Sequence, residues 1–262
     1  MILKRLKLPF LTLLCVAFTV VGCGNDDEQT TTPPTNPNAT ANQQPLGTSA
    51  NELLASTEFR SLRLELAYAE GFRPTQQTID LIQSFLEERL DKPDGITIVE
   101  NLITPDEVAP YDINEIVAIE DANRTVFNDG DEIGVWMFFS DGVSASNSGN
   151  SFVLGTAYRN TSMVIYEKTF IDLANNSTTP INRTLLETST LRHEFGHIFG
   201  LVNSGTPLTS DHEDENNERH CNVEGCLMFF QTVTSIFNSS DIATIPEFDP
   251  LCIADLQANG GL

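Results

Sequence analysis

The pentapeptide His193-Glu194-Phe195-Gly196-His197 decides how the rest of this chain is interpreted. Apolar residues before and within it recur at helical spacing, so the sequence predicts that it lies on a helix. Side chains four positions apart share one face of a helix. The two imidazoles can therefore hold one metal ion together, with the glutamate carboxylate beside them.

The order H-E-x-x-H is the spacing at which two histidines bind zinc and the glutamate between them acts as a general base. A catalytic zinc takes three protein ligands and keeps one position for water. The ion lowers the pKa of that water and polarises a scissile carbonyl, while the base carries a proton from the water to the leaving amine. The sequence thus predicts a hydrolytic centre with one zinc ion, a catalytic Glu194 and a third ligand from outside the pentapeptide.

The residues that follow extend this motif into a longer pattern. Residues 193–201 read HEFGHIFGL, and after a polar loop residues 220–228 read HCNVEGCLM. This order resembles the archaemetzincins, a family within the metzincin clan of zinc peptidases. The resemblance implies five site residues: the zinc ligands His193, His197 and His220, the general base Glu194, and Met228, a methionine that forms an apolar floor beneath the metal.

Two histidines compete for the place of the third ligand. Position 203, where many metzincins have that histidine, is Asn203, a poor zinc ligand. The resemblance displaces the ligand to His220, beyond an insertion that covers about residues 202–219. That insertion contains His212 among acidic residues, either as a rival ligand or as a solvated loop histidine. We favour His220 because the cysteines and the methionine after it continue the family pattern.

The cysteines leave two states open. Archaemetzincins carry a second, structural zinc on four cysteines, the last two as C-x-x-C, and here that pair would be Cys252 and Asp255. In an oxidising compartment, Cys221 and Cys226 could instead close a small disulfide loop and leave Cys252 buried as a thiol. We favour the disulfide and predict one catalytic zinc ion.

The amino terminus has the features of a leader. Residues 1–22 begin with basic residues and continue as an apolar run that is too short for a comfortable membrane span. The segment ends before Cys23 and resembles a bacterial lipoprotein signal, in which that cysteine is lipidated after cleavage. An ordinary leader with a chance cysteine is the alternative. Acidic residues 26–28 resemble the surface-export signal of Bacteroidota lipoproteins, so we expect an outer-membrane lipoprotein exposed at the cell surface.

The segment after Cys23 differs in composition from the rest of the chain. Residues 23–50 are mostly small and polar, which predicts a disordered tether that joins the lipid to a catalytic domain at residues 51–262. Removing residues 1–22 takes away three basic residues and changes the formal charge from −23 to −26. So acidic a chain argues against a nucleic-acid partner, and we expect contact with the membrane through the lipid anchor only.

Periodicity in the domain predicts an α/β fold. The most apolar predicted strand, residues 132–139, should be central and covered on both faces. The resemblance implies a metzincin-like architecture: a mixed twisted sheet with helices in an upper subdomain, a smaller irregular lower subdomain, and the zinc cleft between them. Further strands are predicted at 61–69, 95–103, 152–158 and 162–166, and further helices after Pro74, Asp112 and Asp249.

Two functions follow from these features. The first is a zinc metalloendopeptidase, anchored by lipid, that cleaves extended peptides or proteins bound along the edge of the sheet; Phe229 and Phe230 could line a pocket there. The second is a non-catalytic surface binding lipoprotein whose zinc is structural or absent. The retained Glu194 favours the first, whereas Asn203 favours the second. The sequence does not separate an endopeptidase from an aminopeptidase.

Overall fold

A five-stranded mixed sheet organises the structure, a computed structural model that describes residues 38–149, 151–176, 181–231 and 244–262. The predicted signal peptide, Cys23 and the first part of the predicted tether lie outside these residues. The strands are β1 Ser61–Ala69, β2 Ile96–Ile103, β3 Glu132–Phe139, β4 Gly155–Arg159 and β5 Ser162–Ile165, with a small hairpin of β6 Glu213–Asp214 and β7 Asn217–Cys221. The helices are α1 Ala39–Asn42, α2 Ala50–Leu54, α3 Gln76–Arg89, α4 Ile113–Asn123, α5 Glu167–Asn176, α6 Arg183–Ile198 and α7 Pro250–Ala258.

The strand order is β2-β1-β3-β5-β4. The first four strands in this order pair in parallel, and β4 pairs antiparallel with β5 at the edge. Strand β3 is buried along its whole length after Glu132, as predicted for a central strand. Its side chains alternate between two apolar clusters, with Met137 in one and Trp136 in the other. The predicted α/β class with a mixed sheet is confirmed.

The two faces of the sheet are covered by different helices. The larger cluster joins β3 to α3 and α6, whereas the smaller one contains Ile116 and Ile119 of α4. Beyond α6, the β6–β7 hairpin, the turn at residues 222–231 and α7 form a smaller and less regular part. No helix in the described part of the chain has the length and apolar character needed to cross a membrane.

Helix α6 is the element that presents the pentapeptide. The Asn182 side chain caps it by accepting a hydrogen bond from the Leu185 N–H at 3.1 Å. Its apolar face packs through Phe195 against Phe85 of α3, with ring centroids 6.4 Å apart. Gly200 then leaves the helical path at φ 73°, where a Cβ atom would lie 2.6 Å from the Thr206 nitrogen. The helix is therefore fixed at both ends and along its buried face.

Residues 38–50 correct the predicted tether. The Asn42 side chain is fully buried and its amide donates to the Gly134 carbonyl at 3.0 Å and to the Asn128 side chain at 2.7 Å. The Asn160 amide donates back to the Ala41 carbonyl at 2.8 Å. A polar composition suggested disorder, but these asparagines satisfy buried backbone groups beside the sheet. The ordered domain therefore begins before residue 50.

Candidate metal centre

Three imidazoles converge at the base of a cleft. His193 and His197 come from α6 and His220 from β7, and their ligand atoms all lie within 4.8 Å of one another. The ring centroids are 4.8 Å apart for His193 and His197, 5.3 Å for His193 and His220, and 5.1 Å for His197 and His220. Three nitrogen donors at this spacing can surround a single small cation.

The orientation of His193 is set by the backbone. Its Nδ1 lies 2.8 Å from the Leu227 carbonyl oxygen. That contact requires a proton on Nδ1, which leaves Nε2 with a lone pair for a metal. Burial lowers the pKa of His193 to about 4, against the smaller opposing effect of the Leu227 carbonyl. The imidazole is therefore neutral at neutral pH, as a metal ligand must be.

His197 has a polar atom left unsatisfied. Its Nδ1 is buried and makes no hydrogen bond within the described residues. Burial, and then His193 and His220, hold the pKa of His197 well below its usual value. The ring is therefore neutral, which is the form that binds a metal.

His220 reaches the centre from the β6–β7 hairpin. Arg219 before it has a left-handed backbone with φ 64°, which bends the chain just ahead of the ligand. The His220 Nδ1 lies 2.9 Å from the Glu218 carbonyl oxygen, so the other ring nitrogen is available to a metal. Asn203 lies elsewhere, with its amide donating to Glu213 at 3.1 Å.

The rival His212 is not at this centre. It is fully buried, with Nε2 2.7 Å from an Asp255 oxygen and Nδ1 3.4 Å from the Cys221 sulfur. It groups with cysteines rather than with the other histidines. The expectation of a solvated loop histidine is also wrong, because the long insertion folds back over α7 and carries this ring inward.

Glu194 is held by the edge strand. Its Oε2 accepts a hydrogen bond from the Ala157 N–H of β4 at 2.8 Å, and its side chain is only 6% exposed. A Cβ atom at Gly155 would lie 2.8 Å from Glu194 Cγ, so the glycine leaves room for the carboxylate. Burial raises the pKa of Glu194 to about 8, although the Ala157 N–H opposes this. The carboxylate thus sits beside the imidazoles in a fixed position.

Met228 forms a buried floor next to α6. Its side chain is fully buried in the larger apolar cluster. A Cβ atom at Gly196 would overlap its sulfur. The turn that contains it is tied to the site at both ends, because the Cys221 N–H donates to the Met228 carbonyl at 2.8 Å and Leu227 contacts His193. The methionine predicted from the resemblance therefore lies against the helix between the two histidines of the motif.

The cleft in front of the imidazoles has a volume of about 460 Å³. Strand β4 lines it through Gly155, Thr156 and Ala157. Phe152 and Phe230 also line it and are 40% and 39% exposed. Phe229, by contrast, packs against the apolar core. Of the two phenylalanines predicted for a pocket, Phe230 lines the cleft.

The cysteines of the domain are thiols in the structure, and the predicted disulfide between Cys221 and Cys226 is not formed. The Cys226 sulfur lies 3.6 Å from that of Cys252 instead. The Cys221 sulfur contacts His212. The Cys221 and Cys226 side chains contact each other as thiols, and Cys252 lies in the same buried cluster.

Comparisons with known proteins find similarity to solved structures. No family model matches the chain, and no curated protein matches it. Among solved structures, the chain is similar to an archaemetzincin from Methanopyrus kandleri, determined at 1.5 Å resolution. The identity is 19%, the TM-score is 0.49, and the match covers 76% of this chain and 96% of that one. Because a similar fold does not imply the same function, the chemistry of the site follows from the side chains that form it.

Proposed function

We propose that this chain is a zinc-dependent metalloendopeptidase in which His193, His197 and His220 bind the metal and Glu194 is the general base. The observation that carries the proposal is the convergence of three imidazoles beside a buried carboxylate at the base of an open cleft. A purely structural site has no use for such a base, because all of its metal positions are filled by protein ligands.

The donor set suits zinc. Three neutral imidazoles form a common ligand set for a catalytic zinc ion, and one coordination position stays open. The Leu227 carbonyl supplies the outer contact that orients His193. The lowered pKa of His197 keeps its ring in the neutral form that a metal requires, which supports the proposal. When bound, the metal would polarise the scissile carbonyl and lower the pKa of an attacking water.

Glu194 supplies the proton transfers. One carboxylate oxygen is fixed by the Ala157 N–H, and the other remains available on the cleft side to accept a proton from water. The same oxygen then returns the proton to the amine nitrogen as the peptide bond breaks. Because the carboxylate is already oriented by β4, little reorganisation is needed at the moment of reaction.

The substrate would be an extended peptide. Strand β4 is the edge of the sheet, is half-buried along its length and borders the cleft. An extended chain laid along such an edge gains backbone hydrogen bonds that do not depend on sequence. The exposed rings of Phe152 and Phe230 favour apolar side chains beside the scissile bond.

The setting of the enzyme is proposed from the sequence. Residues 1–22 would be removed as a lipoprotein signal and Cys23 would carry the lipid, which places the domain at the outer membrane and at the cell surface. In this proposal the anchor is the chain's contact with the membrane, the partner is a peptide or protein substrate, and nucleic acid is not a partner.

The test is Glu194→Gln in the purified domain. We expect peptide cleavage to fall by about 10²–10⁴-fold, because proton transfer is lost, while the zinc content stays unchanged. Glu224→Gln, at an exposed position of the 220–228 segment, is the control and should retain activity. Full activity in Glu194→Gln would refute the mechanism. Zinc bound by the unaltered protein without cleavage of any peptide would favour the binding lipoprotein.

A further inference from the structure

A short segment near the amino terminus forms part of the wall of the cleft. This strap, residues 43–49, connects α1 to α2. Its Leu46 is half-buried, packs against the larger apolar cluster and lines the cleft together with His197 and His220. The strap thus adds to the cleft a side chain that lies outside the zinc-binding motif.

The strap is attached to the end of the edge strand. Strand β4 ends at Arg159, and the next residue, Asn160, is fully buried. The Asn160 N–H donates to the Gln44 carbonyl at 3.0 Å, and its side-chain oxygen accepts from the Gln44 N–H at 3.0 Å. Its side-chain amide donates to the Ser49 hydroxyl at 2.8 Å. One buried asparagine therefore holds the strap near both of its ends.

The middle of the strap is held by the long insertion. Gly47 has a left-handed backbone with φ 82°, and a Cβ atom there would overlap the Ser204 carbonyl oxygen. A Cβ atom at Gly205 would in turn overlap the Gly47 carbonyl oxygen. The two backbones are in contact with no side chain between them. Leu46 precedes Gly47, so this contact fixes its place on the wall of the cleft.

The position of Leu46 along the cleft follows from β4. Ala157 marks the level of the reaction centre, because its N–H holds Glu194 at 2.8 Å. Asn160 is three positions further along the chain, which is at most about 10 Å for an extended strand. Phe152 precedes the other end of β4. A peptide laid along this strand would therefore reach the strap within about three residues of its scissile bond.

An aliphatic side chain at this place selects by burial. Strand addition supplies backbone hydrogen bonds to any sequence, so preference has to come from the side chains that line the cleft. Leu46 offers no hydrogen bond, and it gains contact area only when an apolar side chain lies against it. A small or charged substrate residue at this position would gain less.

We propose that Leu46 determines specificity by selecting peptides with a large apolar side chain on the strap side of the scissile bond, within about three residues of it. The reference to a scissile bond rests on the proposed peptidase function, whereas the recognition of the side chain does not require cleavage. The strap would then be part of the substrate cleft as well as the start of the ordered domain.

The test measures peptide binding to zinc-loaded protein that carries Glu194→Gln, over a library varied one position at a time. We expect the parent to prefer large apolar residues to alanine at one position on the strap side. Leu46→Ala should reduce that preference about tenfold, as the loss of apolar contact in a pocket does, and leave the other positions unchanged. Leu46→Phe keeps an apolar side chain against the core and should shift the preference toward smaller residues.

Two controls locate the effect. Thr48→Ala, at an exposed position of the strap, should keep the profile of the parent. Phe152→Ala should change the preference at a different peptide position, because Phe152 lies toward the other end of β4. The zinc content of each variant shows that the metal centre is intact.

The proposal would be overturned by Leu46 variants whose profiles equal that of the parent, or by a parent that binds no peptide of the library. Cleavage by protein with Glu194 intact is scored separately. Peptides that bind with the expected preference but are never cleaved would refute the peptidase and support the role of Leu46. Cleavage with a profile that Leu46→Ala does not change would do the reverse.

Discussion

Gly196 and Met228 are in direct contact across the floor of the metal centre, and the contact exists because position 196 has no side chain. A Cβ atom there would overlap the Met228 sulfur and would lie 3.2 Å from its methyl carbon. Gly196 lies between Phe195, which packs into the core, and His197, which faces the cleft. The glycine of the motif thus lets the 220–228 segment approach α6 closely enough for His220 to join the other two histidines.

The contact predicts a rescue between two substitutions. Gly196→Ala should weaken zinc binding and lower the free energy of unfolding by about 1–3 kcal/mol, because the methyl group overpacks the interface with Met228. Adding Met228→Ala, which opens space on the other side, should restore part of both losses. Zinc titration and urea denaturation of the two single variants and the double variant measure the coupling. Additive effects would mean that the two residues act independently.

A second prediction concerns the support of the general base by β4. Gly155→Ala places a methyl group 2.8–2.9 Å from Cγ and Oε1 of Glu194 and should displace the carboxylate. We expect kcat to fall by about tenfold or more, in line with the effect of small misplacements of catalytic groups, with zinc content unchanged. Thr156→Ala, at the next position of β4, is the control for a general effect of altering the strand. Equal kcat values in the two variants would contradict a specific role for Gly155.

A third prediction concerns pH. Burial, and then the neighbouring Glu187, raise the pKa of Glu167 well above its usual value, against the opposing effect of Arg183. The native state therefore binds a proton that the unfolded chain releases near pH 4.5, so this residue's contribution to stability falls as the pH rises above that value. Glu167→Gln should thus stabilise the protein more at pH 7 than at pH 5.

Urea midpoints at several pH values measure this difference. The control is Glu88→Gln, whose side chain is 63% exposed. A stabilisation by Glu167→Gln that is the same at pH 5 and pH 7 would mean that the carboxyl ionises normally.

A fourth prediction tests the packing beneath α6. Phe85 is fully buried and its ring lies 6.3 Å from that of Phe199 and 5.8 Å from that of Phe248. Phe85→Ala should lower the free energy of unfolding by about 3–5 kcal/mol, through lost burial and the cavity it leaves. Phe152→Ala, at an exposed ring, should change stability by about 0.5 kcal/mol or less. Urea denaturation without zinc measures both variants. Similar losses in the free energy of unfolding for both would mean that Phe85 is not a core residue.

The sequence predicted those helices and strands whose formation depends on residues close together in the chain. The apolar spacing around Phe195 and the capping residue Asn182 predicted α6, and the uninterrupted apolar run predicted β3 as the central strand. Both elements can be predicted from the spacing of their own apolar residues, because a helix or a strand repeats its buried positions at a fixed period.

Contacts between distant parts of the chain were not predictable in the same way. Nothing in the sequence around Leu227 or Ala157 shows that their backbone groups orient His193 and hold Glu194. The sequence predicted His212 to be either a rival ligand of the first centre or a solvated loop residue. It is neither, because it is buried against Asp255, 43 positions away. Likewise, the burial of Asn42 depends on bonds to residues of the sheet that composition does not reveal.

In the proposed metal centre, three imidazoles hold one zinc ion next to Glu194. Anomalous X-ray scattering from crystals of the domain, recorded on both sides of the zinc absorption edge, tests it most directly. We expect a peak about 2.0–2.1 Å from one nitrogen each of His193, His197 and His220. A crystal grown with zinc that shows no peak among these three rings, or a peak that His220 does not reach, would contradict it.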